Sequence, residues 1–193
     1  MITIIDYGTG NLQSVMNAFA RLGAEYELTA DPERIRSAEK VLFPGVGAAR
    51  PAMEKLRDAG LVDTLKSLTQ PVLGICLGMQ LMCLWSEEGD AECLGLFDNA
   101  VRRFDVPGLK VPHMGWNGIY DLRTPLYNDV EESSYAYFVH SYAVEVNENT
   151  IAACDYGVPF SASLNKGNFF GAQFHPEKSG TVGERILKNF LEL

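Results

Sequence analysis

Three times in its first 85 residues the chain alternates between a short β-prone run and a stretch with helical spacing. "ITII" leads to "NLQSVMNAFARLG", "KVLFPG" to "ARPAMEKLRDAG", and "PVLGIC" to "LGMQLMCLW". No other feature constrains the fold as much, because a strand followed by a helix returns as a parallel strand, with the helix crossing one face of the sheet. In the first helical stretch Leu12, Val15, Met16, Phe19 and Leu22 recur every three or four residues and Gly23 supplies a stop, so this stripe should lie on the sheet. Past about residue 95 the texture changes: "GLFDNAVRRF", "YAYFVHSYAVEV" and "FSASLNKGNFFGAQF" are aromatic and β-branched, and strands follow strands. The chain closes on "TVGERILKNFLEL", where Thr181 and Glu184 have capping-box spacing and Ile186, Leu187, Phe190 and Leu191 share a face. The expected fold is a single α/β domain over residues 1–193: an open, mostly parallel twisted sheet with flanking helices, its second half richer in antiparallel strands.

With 193 residues, 47% of them hydrophobic, the chain can build a sizeable core. A formal net charge of -9 argues against a nucleic-acid binder, which needs clustered Lys and Arg. The four cysteines, Cys76, Cys83, Cys93 and Cys154, form no CxxC, and three histidines are too few for an evident metal cluster, so neither metal nor cofactor is expected. A chain this apolar needs no disulfide staples, which suggests reduced thiols and a cytoplasmic location. The start, "MITIIDYGTGN", lacks a basic region with an apolar stretch behind it, and no run approaches a membrane span. The acidic "SEEGDAE" reads as a solvated loop without a binding role.

A cysteine between two glycines, where a strand gives way to a helix, is the pattern of a nucleophile elbow, here Gly74, Cys76 and Gly78. Side chains flanking so tight a turn would collide with neighbouring backbone. A helix N-terminus favours the thiolate, and the amide of Leu77 points where an oxyanion would form. Alone, GxCxG is a weak pattern, and most free cysteines are small buried hydrophobes, the reading adopted for the other three. A cysteine nucleophile wants a histidine base with an orienting group. In "FHPEKS" Glu177 lies two residues beyond His175, so in an extended stretch both side chains project to one side, and Pro176 favours extended geometry at His175. By itself this fragment reads equally as a strand end with a polar turn.

Taken together, "GICLGMQLM" and "FHPEKS" are similar to the class I glutamine amidotransferases, whose catalytic Cys, His and Glu would be Cys76, His175 and Glu177. "IIDYGTGNLQSV", "PHMGWN" and "YFVHSY" further resemble the branch that forms glutaminase subunits of imidazole glycerol phosphate synthases. The resemblance implies a flavodoxin-like sheet, hydrolysis of L-glutamine, and ammonia passed to a separate cyclase subunit in a heterodimer. It implies an oxyanion segment at Gly45, Val46 and Gly47 beside Leu77, and glutamine-binding positions at Gln80, Ser141 and Tyr142. It implies an interface and channel mouth at His113, Trp116, Asn117, Tyr137 and Lys178. Thr9 stands where the family has a more apolar residue. Rival readings are the glutaminase of anthranilate, para-aminobenzoate or vitamin B6 synthesis, against which "PHMGWN" counts, a non-catalytic binding subunit, and a free-standing cysteine hydrolase acting on peptides.

Overall fold

A computed structural model describes residues 1–8 and 11–193. In chain order its elements are β1 (Ile2–Ile5), α1 (Leu12–Arg21), β2 (Tyr26–Thr29), α2 (Pro32–Ser37), β3 (Lys40–Phe43), α3 (Ala49–Asp58), α4 (Val62–Lys66), β4 (Val72–Ile75) and α5 (Leu77–Met82). There follow β5 (Trp85–Ser86), β6 (Ala91–Glu92), β7 (Ala100–Arg103), β8 (His113–Ile119), β9 (Ser134–His140), β10 (Tyr142–Val144), β11 (Thr150–Asp155), β12 (Pro159–Lys166), β13 (Phe169–Ala172) and α6 (Gly180–Glu192). Short 3-10 turns occupy Pro125–Tyr127 and Pro176–Lys178. The expectation about Thr9 lies outside the described residues.

Seven strands make the central sheet in the order β11-β12-β13-β4-β3-β1-β2. The run from β13 to β2 is parallel, and β12 and β11 extend it antiparallel, as the change of texture in the second half implied. The order 2-1-3-4 is the doubly wound one, which opens its crevice at the carboxyl ends of the strands. Both faces are covered, so β1 and β4 are buried at every position rather than at alternate ones. Ile2, Ile4, Leu42 and Leu73 pack with Val15 and Phe19 of α1 and Ile186, Leu187 and Phe190 of α6. Ile5, Val41, Phe43 and Val72 pack on the other side with Ile35, Met53, Leu56, Leu65 and Leu77. Each large side chain so buried contributes about 1.5–3 kcal/mol. The stripe on α1 falls where its spacing predicts: Val15 and Phe19 are buried, with Leu12, Met16 and Leu22 against the same cluster, and Gly23 ends the helix at φ +67°.

One local expectation is corrected and another refined. The capping box does not form: the turn at Pro176–Lys178 runs directly into α6, so the helix begins before Thr181, and Glu184 pairs with Arg21 at 2.8 Å instead. The acidic run is solvent-facing as expected, with Glu87, Gly89, Asp90 and Glu92 exposed, but it is held in place. It is the hairpin tip between β5 and β6, clasped by α3: Arg50 donates to the carbonyls of Gly89 and Asp90, Arg57 to that of Glu92, and Glu88 Oε2 accepts from the Ala49 amide at 3.0 Å. Beside the main sheet stand a four-stranded sheet, β10-β7-β5-β6, and the antiparallel pair β8-β9. Among the described residues no helix is long and apolar enough to cross a membrane.

Candidate active site

Strand β4 delivers Cys76 into α5 with φ 52° and ψ -109°, a left-handed conformation that a side-chain-bearing residue adopts only under constraint. The constraint is the close approach of α5 to its neighbours. A Cβ on Gly78 would land on the Phe43 carbonyl oxygen of β3, and one on Gly74 would come within 2.8 Å of the Met79 amide. As the first helical residue, Leu77 has no partner for its amide within α5.

A cleft of about 350 Å³ opens above the sulfur, within the usual range for small-molecule sites. Val46, Gly47, Leu77, Gln80, Glu88, Ser141, Tyr142 and His175 are among the residues that line it. Of the expected oxyanion positions Gly45 lies behind the others. It lines a small recess with Asn11, Pro44, His175 and Glu177.

His175 and Glu177 meet, by a different route from the one their spacing suggested. His175 is extended, as its proline neighbour requires, but Pro176–Lys178 is a 3-10 turn that swings Glu177 back under the ring. His175 Nδ1 and Glu177 Oε1 are 2.8 Å apart, with side chains 5% and 2% exposed. Burial opposes the charged imidazole. Hydrogen bonds to Cys76 and Glu177 and the charges of the same two groups outweigh it, raising the imidazole to about 10. The histidine is therefore held as the imidazolium, fixed in orientation by Glu177. Glu177 Oε2 is buried with no hydrogen-bond partner among the described residues.

Three contributors carried no signal recognised in the sequence. Gln173, fully buried at the end of β13, donates from Nε2 to Cys76 Sγ at 3.8 Å. Ser179 accepts from the Tyr137 amide at 2.9 Å and donates to the His175 carbonyl at 2.7 Å, while the His175 amide donates to the Tyr137 carbonyl at 2.9 Å. Glu88 brings a carboxylate to the cleft, and burial raises its pKa against the opposing Ala49 amide.

The expected interface residues divide. Trp116 and Lys178 are exposed, and Tyr137, across the β8-β9 ladder from Trp116, sets its ring 6.0 Å from the indole. His113 is not at the surface. It is 3% exposed, stacked between Phe138 and Tyr156, and joined through Nδ1 to His140 Nε2 at 3.0 Å, because alternate residues of β8 face inward. Asn117, half-buried, donates to the Asp155 carbonyl.

The family profile described as glutamine amidotransferase class-I matches residues 3–193. The chain belongs to that family. The Imidazole glycerol phosphate synthase subunit HisH of Bacteroides fragilis is 54% identical over 195 residues, covering 100% of this chain and 99% of the relative. The protein of the same name from Pasteurella multocida is 52% identical over 192 residues, covering 99% and 97%. Among solved structures, a crystal structure titled glutamine amidotransferase superposes with TM-score 0.77 at 18% identity, covering 100% of this chain and 98% of the other. The structure of PurLQS from Thermotoga maritima superposes with TM-score 0.73 at 18% identity, covering 99% and 97%. The flavodoxin-like sheet is thus the fold of the family.

In this class I glutamine amidotransferase the remaining cysteines are suited to packing. All four cysteines are free. Burial pushes the Cys83 thiol far up, Cys93 to about 11 and Cys154 to about 12, so none offers a thiolate at neutral pH. Cys76 alone among them lies in the cleft, with a buried imidazolium on one side and an amide donor on another. A sulfur so placed can attack a carbonyl carbon, while the ring gives the proton it holds to a leaving amine.

Proposed function

We propose that the chain is the glutaminase subunit of a cytoplasmic imidazole glycerol phosphate synthase, a single domain that hydrolyses L-glutamine and passes ammonia to a cyclase subunit in histidine biosynthesis. The observation that carries this reading is Cys76 on its elbow with His175 in one cleft and Glu177 behind the ring, in a chain more than half identical, end to end, to a subunit of that name.

The Cys76 sulfur attacks the side-chain amide carbon of glutamine. Negative charge on the carbonyl oxygen is met by the Leu77 amide and by the segment holding Gly45, Val46 and Gly47. Losing one such donor costs about 10² to 10³ in rate. The His175 imidazolium gives its proton to the amide nitrogen, the C–N bond breaks, and ammonia departs. The neutral ring then takes a proton from water, which attacks the thioester; glutamate leaves and the sulfur is restored. Glu88, the carboxylate among the cleft's lining residues, suits the substrate ammonium, and Gln80, Ser141 and Tyr142 its remaining polar groups. Trp116, Asn117, Tyr137 and Lys178 face the cyclase.

The test is Cys76→Ala assembled with the cyclase subunit. Glutamine-dependent synthesis should vanish while added ammonia still supports it. Loss of both activities would mean that the chain serves as a scaffold.

A further inference from the structure

A buried run of hydrogen bonds ends on the nucleophilic sulfur. Gln173 Nε2 donates to Cys76 Sγ at 3.8 Å, and Gln173 Oε1 accepts from Gln80 Nε2 at 2.9 Å. The same Gln80 nitrogen donates to the Tyr142 backbone carbonyl at 2.9 Å. That carbonyl fixes the polarity of the whole run, because it can only accept. Gln80 must therefore turn its NH₂ to Tyr142. This nitrogen also faces Gln173, which must answer with its carbonyl oxygen, and only the Gln173 NH₂ is left for the sulfur. An amide flipped at either residue would set oxygen against oxygen or nitrogen against nitrogen.

The node is itself held from the other side. His140 Nδ1 lies 2.8 Å from the Tyr142 carbonyl and so carries the proton. In a neutral ring His140 Nε2 then accepts from His113 Nδ1 at 3.0 Å, leaving His113 Nε2 to accept from Asn117 Nδ2 at 3.3 Å. The Gln173 amide donates to the Ala162 carbonyl, which pins its backbone to β12. A glutamine 0% exposed at a strand end costs desolvation that an apolar residue of equal volume would not, unless both ends of its amide are used. Here both are.

We propose that Gln173 is a further catalytic residue, whose side-chain N–H holds the Cys76 sulfur as the thiolate, in an orientation imposed through Gln80 by the Tyr142 carbonyl. The proposal rests on Cys76 being the nucleophile. Gln173 supplies an uncharged donor that stays the same while His175 gives up its proton and takes one back, so it meets the sulfur both before attack and when the thioester releases it. The titratable groups around the sulfur are His175 with Glu177 behind it, His140 and Tyr142 from β9 and β10, and Glu88 at the rim from the β5-β6 hairpin. Each is left in place by a change at 173.

The experiment alkylates the full-length chain with iodoacetamide between about pH 5 and about pH 10, a range spanning ordinary and activated thiols, and quantifies the Cys76 peptide by mass spectrometry. Gln173→Met keeps the volume and removes the donor. Gln173→Glu still accepts from Gln80 but turns an acceptor toward the sulfur. Q173M should move the profile up by about one unit, with alkylation about tenfold slower on its acid limb, and Q173E should move it further. Thermal unfolding identifies which variant is folded, and either one suffices. A folded variant with the wild-type profile, or one slowed equally at every pH, would overturn the proposal. Alkylation needs no glutamine, so the two readings fail separately: a shifted profile in a chain that hydrolyses no glutamine with its partner would refute the glutaminase assignment alone.

Discussion

At the scale of single residues, the elbow works because two glycines let backbone occupy space a side chain would fill. Gly78→Ala would drive a methyl group into the Phe43 carbonyl oxygen, and since the obstacle is main chain of the central sheet, no rotamer change relieves it. The expected outcome is a loss of about 1–3 kcal/mol or more in a denaturant titration with unchanged slope. This part of the site was legible in the sequence only in combination, since GxCxG is weak alone and gains its meaning beside "FHPEKS". Gln173 and Glu88 were not. A lone glutamine two residues before His175 has no spacing that distinguishes it from a solvent-facing strand residue, and Glu88 sits among acidic neighbours that look alike until the fold selects one. What gives each its role is a contact with a residue far off in the chain: Cys76 for Gln173, Ala49 for Glu88.

Among elements, β1, β3 and β4 with the helices α1, α3 and α5 that follow them were readable because their information is periodic and local, whereas the short β2, α2 and α4 were not read. Misread features depend on what comes next in space. The capping box at Thr181 lost to a preceding turn that had already started the helix, and "SEEGDAE" is organised by two arginines of α3. The pair β8-β9 carries the largest departure, the inward-facing His113. Burial holds His113 down at about 4. It holds His140 down at about 3, with His113 and His175 adding to the effect and the Tyr142 carbonyl opposing it. Both folded values lie below the ordinary 6.5. The unfolded chain therefore binds more protons as pH falls through 6.5, and stability is lost progressively from there down towards pH 4 and 3. Melting temperatures measured from pH 7 to 4 should fall, and His113→Asn should flatten the slope. An unchanged slope in that variant would mean that the pair does not titrate as its burial requires.

Across the whole molecule, the doubly wound order gathers the carboxyl ends of β3, β4 and β13 on one rim, where the segment of Val46 and Gly47, the elbow and His175 all emerge. Fold class was legible from the alternation alone, but which strand neighbours which was not, because β13 joins β4 across about half the chain. The outer face of β8-β9 leaves Met114 63%, Trp116 55% and Tyr135 61% exposed. On the proposed assignment this strip meets the cyclase, and Trp116→Ala should weaken association by about tenfold or more, as for a central aromatic anchor. Calorimetric titration against the cyclase subunit measures it, and the melting temperature of the free chain checks that the strand is intact.

The backbone of His175 hangs from Tyr137 by two short links, one direct and one through Ser179, and Tyr137 stands opposite Trp116 on the ladder. His175 and the exposed aromatic strip thus share one peg. On the proposed assignment, a partner seated on the strip would therefore press on the very strand from which the histidine is suspended.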